Sequence, residues 1–124
     1  MHASAETTVV LADPTGIARA ALAMLVSETP GVELVGEAAT LDELRAVIRD
    51  AHPDVVVIDD RLLRYDAVTA DELGARLVVT GVDDDPAYLA RARRIGAEAW
   101  VPKECADALL PDVLPREAPV TLTA

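Results

Sequence analysis

With 124 residues, the chain has the length of one domain around one core, and 52% hydrophobic against 27% charged residues excludes a disordered tail. Aromatics are only 2% and Phe is absent, so the core must be built from Val, Leu, Ile and Ala, as when helices pack closely on a parallel sheet. A net charge of -11 repels phosphate backbones and argues against direct binding of nucleic acid by this chain.

Short apolar runs alternate with stretches of helical periodicity, which predicts βα units and a doubly wound five-stranded parallel sheet. The first strand lies near Thr7–Ala12 and ends at Asp13. The helix after it places Ile17, Ala20, Ala21, Met24 and Leu25 at i, i+3, i+4, i+7 and i+8, predicting one apolar face before Pro30-Gly31. A second strand follows over Val32–Ala38. Thr40-Leu41-Asp42-Glu43 is a capping-box pattern, and Leu41, Leu44, Val47 and Ile48 form the buried stripe of the helix it opens. That helix stops at His52-Pro53, with His52 expected on the surface.

The third strand, Val55-Val56-Val57-Ile58, has no polar face and is expected to be covered on both sides; it ends at Asp59-Asp60. Strand alternation would turn Asp60 away from Asp59, toward solvent. Between Asp60 and the fourth strand, Arg76–Thr80, there is room only for about two helical turns near Val68–Leu73, closed by Gly74. Asp83-Asp84-Asp85-Pro86 presents an N-cap with proline at N1 for a helix reaching Ile95. Its Arg91, Arg93 and Arg94 read as a solvated face, with partner docking as the alternative. The fifth strand is Glu98–Val101. A last helix from about Cys105 is expected to be cut at Pro111, so that the third and fifth helices are both shortened or irregular. The expected division is a tail over 1–6, a domain over 7–112 and a loose tail over 113–124.

In an open parallel sheet, reacting groups gather outside the carboxyl ends of the strands. Asp13, Asp59, Thr80 and Lys103 follow four such strands, so the topology would bring two acids, a hydroxyl and an ammonium to one spot. That set suits phosphoryl chemistry, in which positive charge and hydrogen-bond donors oppose the charge on the transferring group. Asp13 is equally suited to cap the following turn. Cys105 is the single cysteine, with no His nearby in sequence, and reads as an ordinary thiol. No signal pattern and no apolar run approaching the roughly 18 residues of a membrane helix is present, which predicts a cytoplasmic protein without membrane contact. Phosphate-binding loops, dinucleotide fingerprints and paired metal-ligating histidines are missing too, so catalysis on an external substrate is not expected.

The stretches Val9-Val10-Leu11-Ala12-Asp13, Leu34-Val35-Gly36-Glu37-Ala38, Pro53-Asp54-Val55-Val56-Val57-Ile58-Asp59 and Gly96-Ala97-Glu98-Ala99-Trp100-Val101-Pro102-Lys103 occur in an order and spacing that resembles the receiver domain of two-component response regulators. The resemblance covers roughly Thr8 to Leu110. Gly36-Glu37-Ala38 and the Asp triplet look most like receivers that precede a LuxR-type helix-turn-helix output domain in transcription regulation. The resemblance implies a phosphorelay role, with Asp59 accepting a phosphoryl group from a histidine kinase or another phosphodonor. It implies that Thr80 contacts the phosphoryl oxygens and moves on activation, that Lys103 pairs with phosphate and acceptor, and that the Trp100 rotamer reports the switch. It implies Mg²⁺ held by Asp13 and Asp59, an output or protein partner at the fourth helix and fifth strand, and allows a homodimer.

The sequence departs from that pattern at Pro14, which stands where the second acid of the metal-binding pair belongs and offers no side-chain oxygen. Leu63 also replaces the proline common after the acceptor. Mg²⁺ binding is therefore expected to be weak or absent. The alternative is a pseudo-receiver: a phosphorylation-independent module for protein interaction or small-ligand sensing.

Overall fold

The computed structural model describes residues 6–64, 66, 68–82 and 86–115; the expected Asp83-Asp84-Asp85 cap, residues 1–5 of the first tail and 116–124 of the second lie outside them. The elements run β1 (Thr7–Ala12), α1 (Gly16–Ser27), β2 (Val32–Ala38), α2 (Leu41–Ala51), β3 (Val55–Asp59), α3 (Ala70–Leu73), β4 (Arg76–Gly81), α4 (Pro86–Arg94), β5 (Ala99–Pro102) and α5 (Ala106–Val113). A 3₁₀ turn, Asp60–Leu63, follows β3, and another, Lys103–Cys105, follows β5. All strand pairs are parallel, in the order β2-β1-β3-β4-β5.

Alternation along the strands divides the core into two layers. Val10, Ala12, Val56, Ile58, Leu77 and Val79 pack with Leu44, Leu73 and Ala92 of α2, α3 and α4. Val9, Leu11, Val55, Val57, Val78 and Val101 pack on the other face with Leu22 and Val26 of α1 and Leu110 of α5. Helices on both faces explain why β3 carries no polar residue before its last position: every β3 side chain is buried.

Local signals account for most boundaries. The Thr40 hydroxyl accepts from the Glu43 amide at 3.1 Å, while the Glu43 carboxylate accepts from the Ala39 amide at 2.8 Å, closing a reciprocal cap on α2. His52 ends α2 as an exposed residue with φ 48°. Helix α3 is a single turn, capped by Thr69 and closed by Gly74 at φ 66°, a left-handed conformation that glycine adopts without a Cβ clash.

Two expectations are corrected here. The row Ile17, Ala20, Ala21 and Met24 faces outward, with Ile17 86% and Met24 64% exposed, and the buried residues of α1 are Leu22 and Val26. Arg19 and Ser27 are the only polar side chains in α1, so its periodicity admits more than one apolar face, and packing on β1 and β2 selects among them. Helix α5 also continues through Pro111 to Val113. The ring removes one donor, but the buried Leu110 and Leu114 anchor the next turn, and the Leu114 amide bonds the Leu110 carbonyl at 2.9 Å.

Candidate functional site

The order β2-β1-β3 makes the chain step outward from β1 to β2 and then return across β1 to β3. The crevice opens at that reversal, outside the carboxyl ends of β1 and β3. Ala12 pairs with Ile58, so Asp13 and Asp59 emerge side by side. Both are buried, at 0% and 1% exposure.

Two cations hold this acidic pair. Lys103 Nζ lies 2.6 Å from Asp13 Oδ2 and 2.6 Å from Asp59 Oδ2. Arg61 grips Asp59 from the other side: its amide and Nε reach Oδ1 at 2.8 and 3.0 Å, and Nη2 reaches Oδ2 at 3.3 Å. The same Nη2 stands 3.5 Å from Asp13 Oδ1. Asp13 Oδ1 also accepts the Thr15 amide at 2.8 Å, so Asp13 fixes the turn into α1 as well as facing the crevice. Arg19 donates to the Asp13 carbonyl at 2.8 Å.

Burial opposes ionisation of Asp59. Hydrogen bonds from the Arg61 side chain, from Lys103 and from the Arg61 amide outweigh it and hold the carboxyl below the ordinary aspartate value. Reciprocally, the hydrogen bond to Asp59 raises the pKa of Arg61. Asp59 is thus a carboxylate at neutral pH.

Thr80 pairs in register with Asp59 and is buried. Its Oγ1 has no hydrogen-bond partner among the described residues, a cost unless a ligand or water meets it. Trp100 lies on the opposite face of the sheet, covering Gly81, where any Cβ would collide with the indole ring. It stacks on Tyr88 of α4 at a centroid distance of 6.1 Å. The structure therefore joins Asp13, Asp59 and Lys103 directly, sets Thr80 beside Asp59 without a bond, and puts Trp100 behind the sheet.

Asp60 requires a correction. It turns away from Asp59 as expected but is 3% exposed rather than solvent-facing, because α4 and the 3₁₀ turn bring Arg91 and Arg64 over it. Its carboxylate takes Arg91 Nη1 at 2.8 Å and Arg64 Nε at 3.5 Å. Arg64 also donates to the Tyr88 hydroxyl at 2.9 Å, and both arginines lie over the Tyr88 ring, at 5.2 and 5.0 Å. Arg91 is therefore an internal tie, while Arg93 and Arg94 are exposed as expected. The sequence reading missed Arg61, Arg64 and Tyr88. Only Arg61 left a signal: a cation two residues beyond a strand-end acid can fold back onto it.

The donor set does not fit a divalent cation. Each oxygen of Asp13 and Asp59 already faces Lys103 or Arg61, and Pro14 adds no side-chain oxygen. Among the described residues no group of three or more His, Cys, Asp or Glu side chains is arranged to hold a metal ion. No described helix is long and apolar enough to cross a membrane.

No family model and no curated protein sequence matches the chain. Solved structures do. A two-component response regulator of the LuxR family from Aurantimonas sp. SI85-9A1 superposes with a TM-score of 0.68 at 24% identity, over 86% of this chain and 80% of that one. The non-phosphorylated receiver domain of the stress response regulator RcsB from Escherichia coli gives 0.72 at 19% identity, over 86% and 88%. CheY6 from R. sphaeroides, solved in complex with the P1 domain of CheA3, is also similar, with 0.64 at 18% identity over 81% and 84%. At these identities the likeness speaks for architecture: the chain has the fold of response-regulator receiver domains.

Proposed function

We propose that the chain is a signal receiver whose Asp59 accepts a phosphoryl group. The observation that carries this reading is Lys103 Nζ at 2.6 Å from the carboxylates of both Asp13 and Asp59, in the crevice where the sheet reverses. In the transfer, an Asp59 oxygen forms a bond to phosphorus as the donor's bond to phosphorus breaks. The donor group leaves with that electron pair: an imidazole, which takes up a proton, from a phosphohistidine, or acetate from acetyl phosphate. Lys103 and Arg61 oppose the charge on the equatorial oxygens, and the Thr80 hydroxyl gains the partner it lacks.

The signal would leave through Gly81 and Trp100 and through Asp60 and Arg91 to the α4–β5 face, where a partner or output domain docks. CheY6, solved with the P1 domain of CheA3, supports a protein partner for this fold. Incubation with acetyl phosphate followed by intact-mass measurement tests the assignment. The wild type gains one phosphoryl group and Asp59→Asn gains none; equal modification of both would refute it.

A second reading, a phosphorylation-independent interaction module, is favoured by the Arg61 fork that occupies Asp59 and by Pro14. The outward apolar row of Ile17, Ala20, Ala21 and Met24 offers such a module a contact surface. It would be distinguished by an unmodified wild type and by partner binding that survives Asp59→Asn unchanged.

A further inference from the structure

We propose that the Arg61 guanidinium is the resident cation of this crevice and takes the place of a divalent metal. The geometry is that of a substitute rather than a neighbour. Nε and Nη2 clasp the two oxygens of Asp59 as a fork, at 3.0 and 3.3 Å, and Nη2 extends to Asp13 at 3.5 Å. One planar group thus bridges Asp13 and Asp59, the two carboxylates that would hold a metal in this crevice. With Lys103 the site holds two positive and two negative charges, so it is neutral without an ion. A dication entering it would have to displace a guanidinium and shed tightly held water, with no third carboxylate in return.

The local chain is built for this. Asp59 caps the 3₁₀ turn by accepting the Arg61 amide at 2.8 Å, which fixes the start of the Arg61 side chain two residues from the acid it grips. Pro14 is exposed and has no side-chain oxygen to offer, so the β1 side of the crevice adds no second carboxylate for a metal. Arg61 and Pro14 act in the same direction: position 14 offers no acid, and Arg61 supplies a cation to the acids that remain.

The proposal rests on reading the Asp13–Asp59 crevice as the receiver site, and it does not depend on whether Asp59 is phosphorylated. Its test uses thermal unfolding of the full chain without any phosphodonor, in MgCl₂ and in NaCl of equal ionic strength. Wild type and Arg61→Lys, which keeps the charge, are expected to unfold at the same temperature in both salts. Arg61→Ala, and Arg61→Met with its longer stem, expose the paired carboxylates. Their Tm should rise specifically with Mg²⁺, by roughly 5 °C once the ion exceeds its Kd about tenfold. Adding Pro14→Asp to Arg61→Ala should enlarge that rise.

Binding of Mn²⁺, followed by loss of its free-ion electron paramagnetic resonance signal, gives a second readout on the same proteins. Retention of the free signal by the wild type and its loss with the neutral variants supports the substitution. A wild type that is stabilised by Mg²⁺ or takes up Mn²⁺ overturns it. So do neutral variants that respond no more than the wild type, since Arg61 would then not be what excludes the ion. Failure of phosphorylation at Asp59 is read separately by mass and leaves these outcomes unchanged.

Discussion

Arg91 of α4 reaches across to Asp60, its Nη1 2.8 Å from Oδ1, so the residue immediately after the candidate acceptor is tied to the helix on the far side of the sheet. Asp60 is buried and Arg91 is about one quarter exposed, so the pair is screened only on one side. Arg91→Ala leaves Asp60 with the longer Arg64 contact. It should cost about 1–3 kcal/mol in urea unfolding. Asp60→Asn with Arg91→Met should recover part of that loss, whereas simple additivity of the two substitutions would show that the pair is not coupled.

Lys103 balances two buried carboxylates that stand side by side. Lys103→Met leaves Arg61 as the one cation paired with both carboxylates among the described residues and should destabilise the fold by roughly 2–4 kcal/mol. Adding Asp13→Asn to Lys103→Met removes the excess charge, so the double variant should be more stable than Lys103→Met alone. A further loss in the double variant would contradict this electrostatic account.

The acidity of Asp59 makes a pH prediction. Burial works against its charge, but hydrogen bonds from Arg61 and Lys103 keep its folded pKa below the ordinary value. A lowered carboxyl contributes stability that is fully present above the unfolded value of about 3.9 and is lost as pH falls through the folded value. Asp59→Asn should therefore flatten the stability profile in the acid range below about pH 4, measured by unfolding at each pH. A profile unchanged by the substitution would show that Asp59 is not the titrating group.

Gly81 and Trp100 provide a steric test. The indole ring occupies the space a Cβ at position 81 would need. Gly81→Ala should displace Trp100 and shift its emission, at a stability cost of about 1–3 kcal/mol from overpacking. Spectra and stability equal to the wild type would mean that the ring does not sit against Gly81.

The strand ends were legible because an all-apolar run such as Val55–Ile58 is long enough for a buried strand, and the first polar residue after it marks where the chain leaves the sheet. That logic located Asp13, Asp59 and Thr80, and the topology then brought them to one end. It failed at Asp60, which turns away from Asp59 but is covered by Arg91 of α4 instead of facing solvent, and on α1, where a helix apolar almost all round cannot declare its buried face. Arg61 was hidden for a different reason. Sequence spacing shows that a side chain can reach an acid but not that it closes over it, which depends on the turn that begins at Asp59.

The central claim, that the crevice at Asp59 receives a phosphoryl-like anion, is tested most directly by Trp100 fluorescence during titration with beryllium fluoride. Trp100 covers Gly81 from the other face of the sheet and shares the lining of one small pocket with Asp59, Asp60 and Arg61, so a ligand that shifts Asp59 or Arg61 changes its surroundings. The account predicts a saturable change in the wild type that is abolished in Asp59→Asn. No change in the wild type, or an equal change in Asp59→Asn, would contradict it.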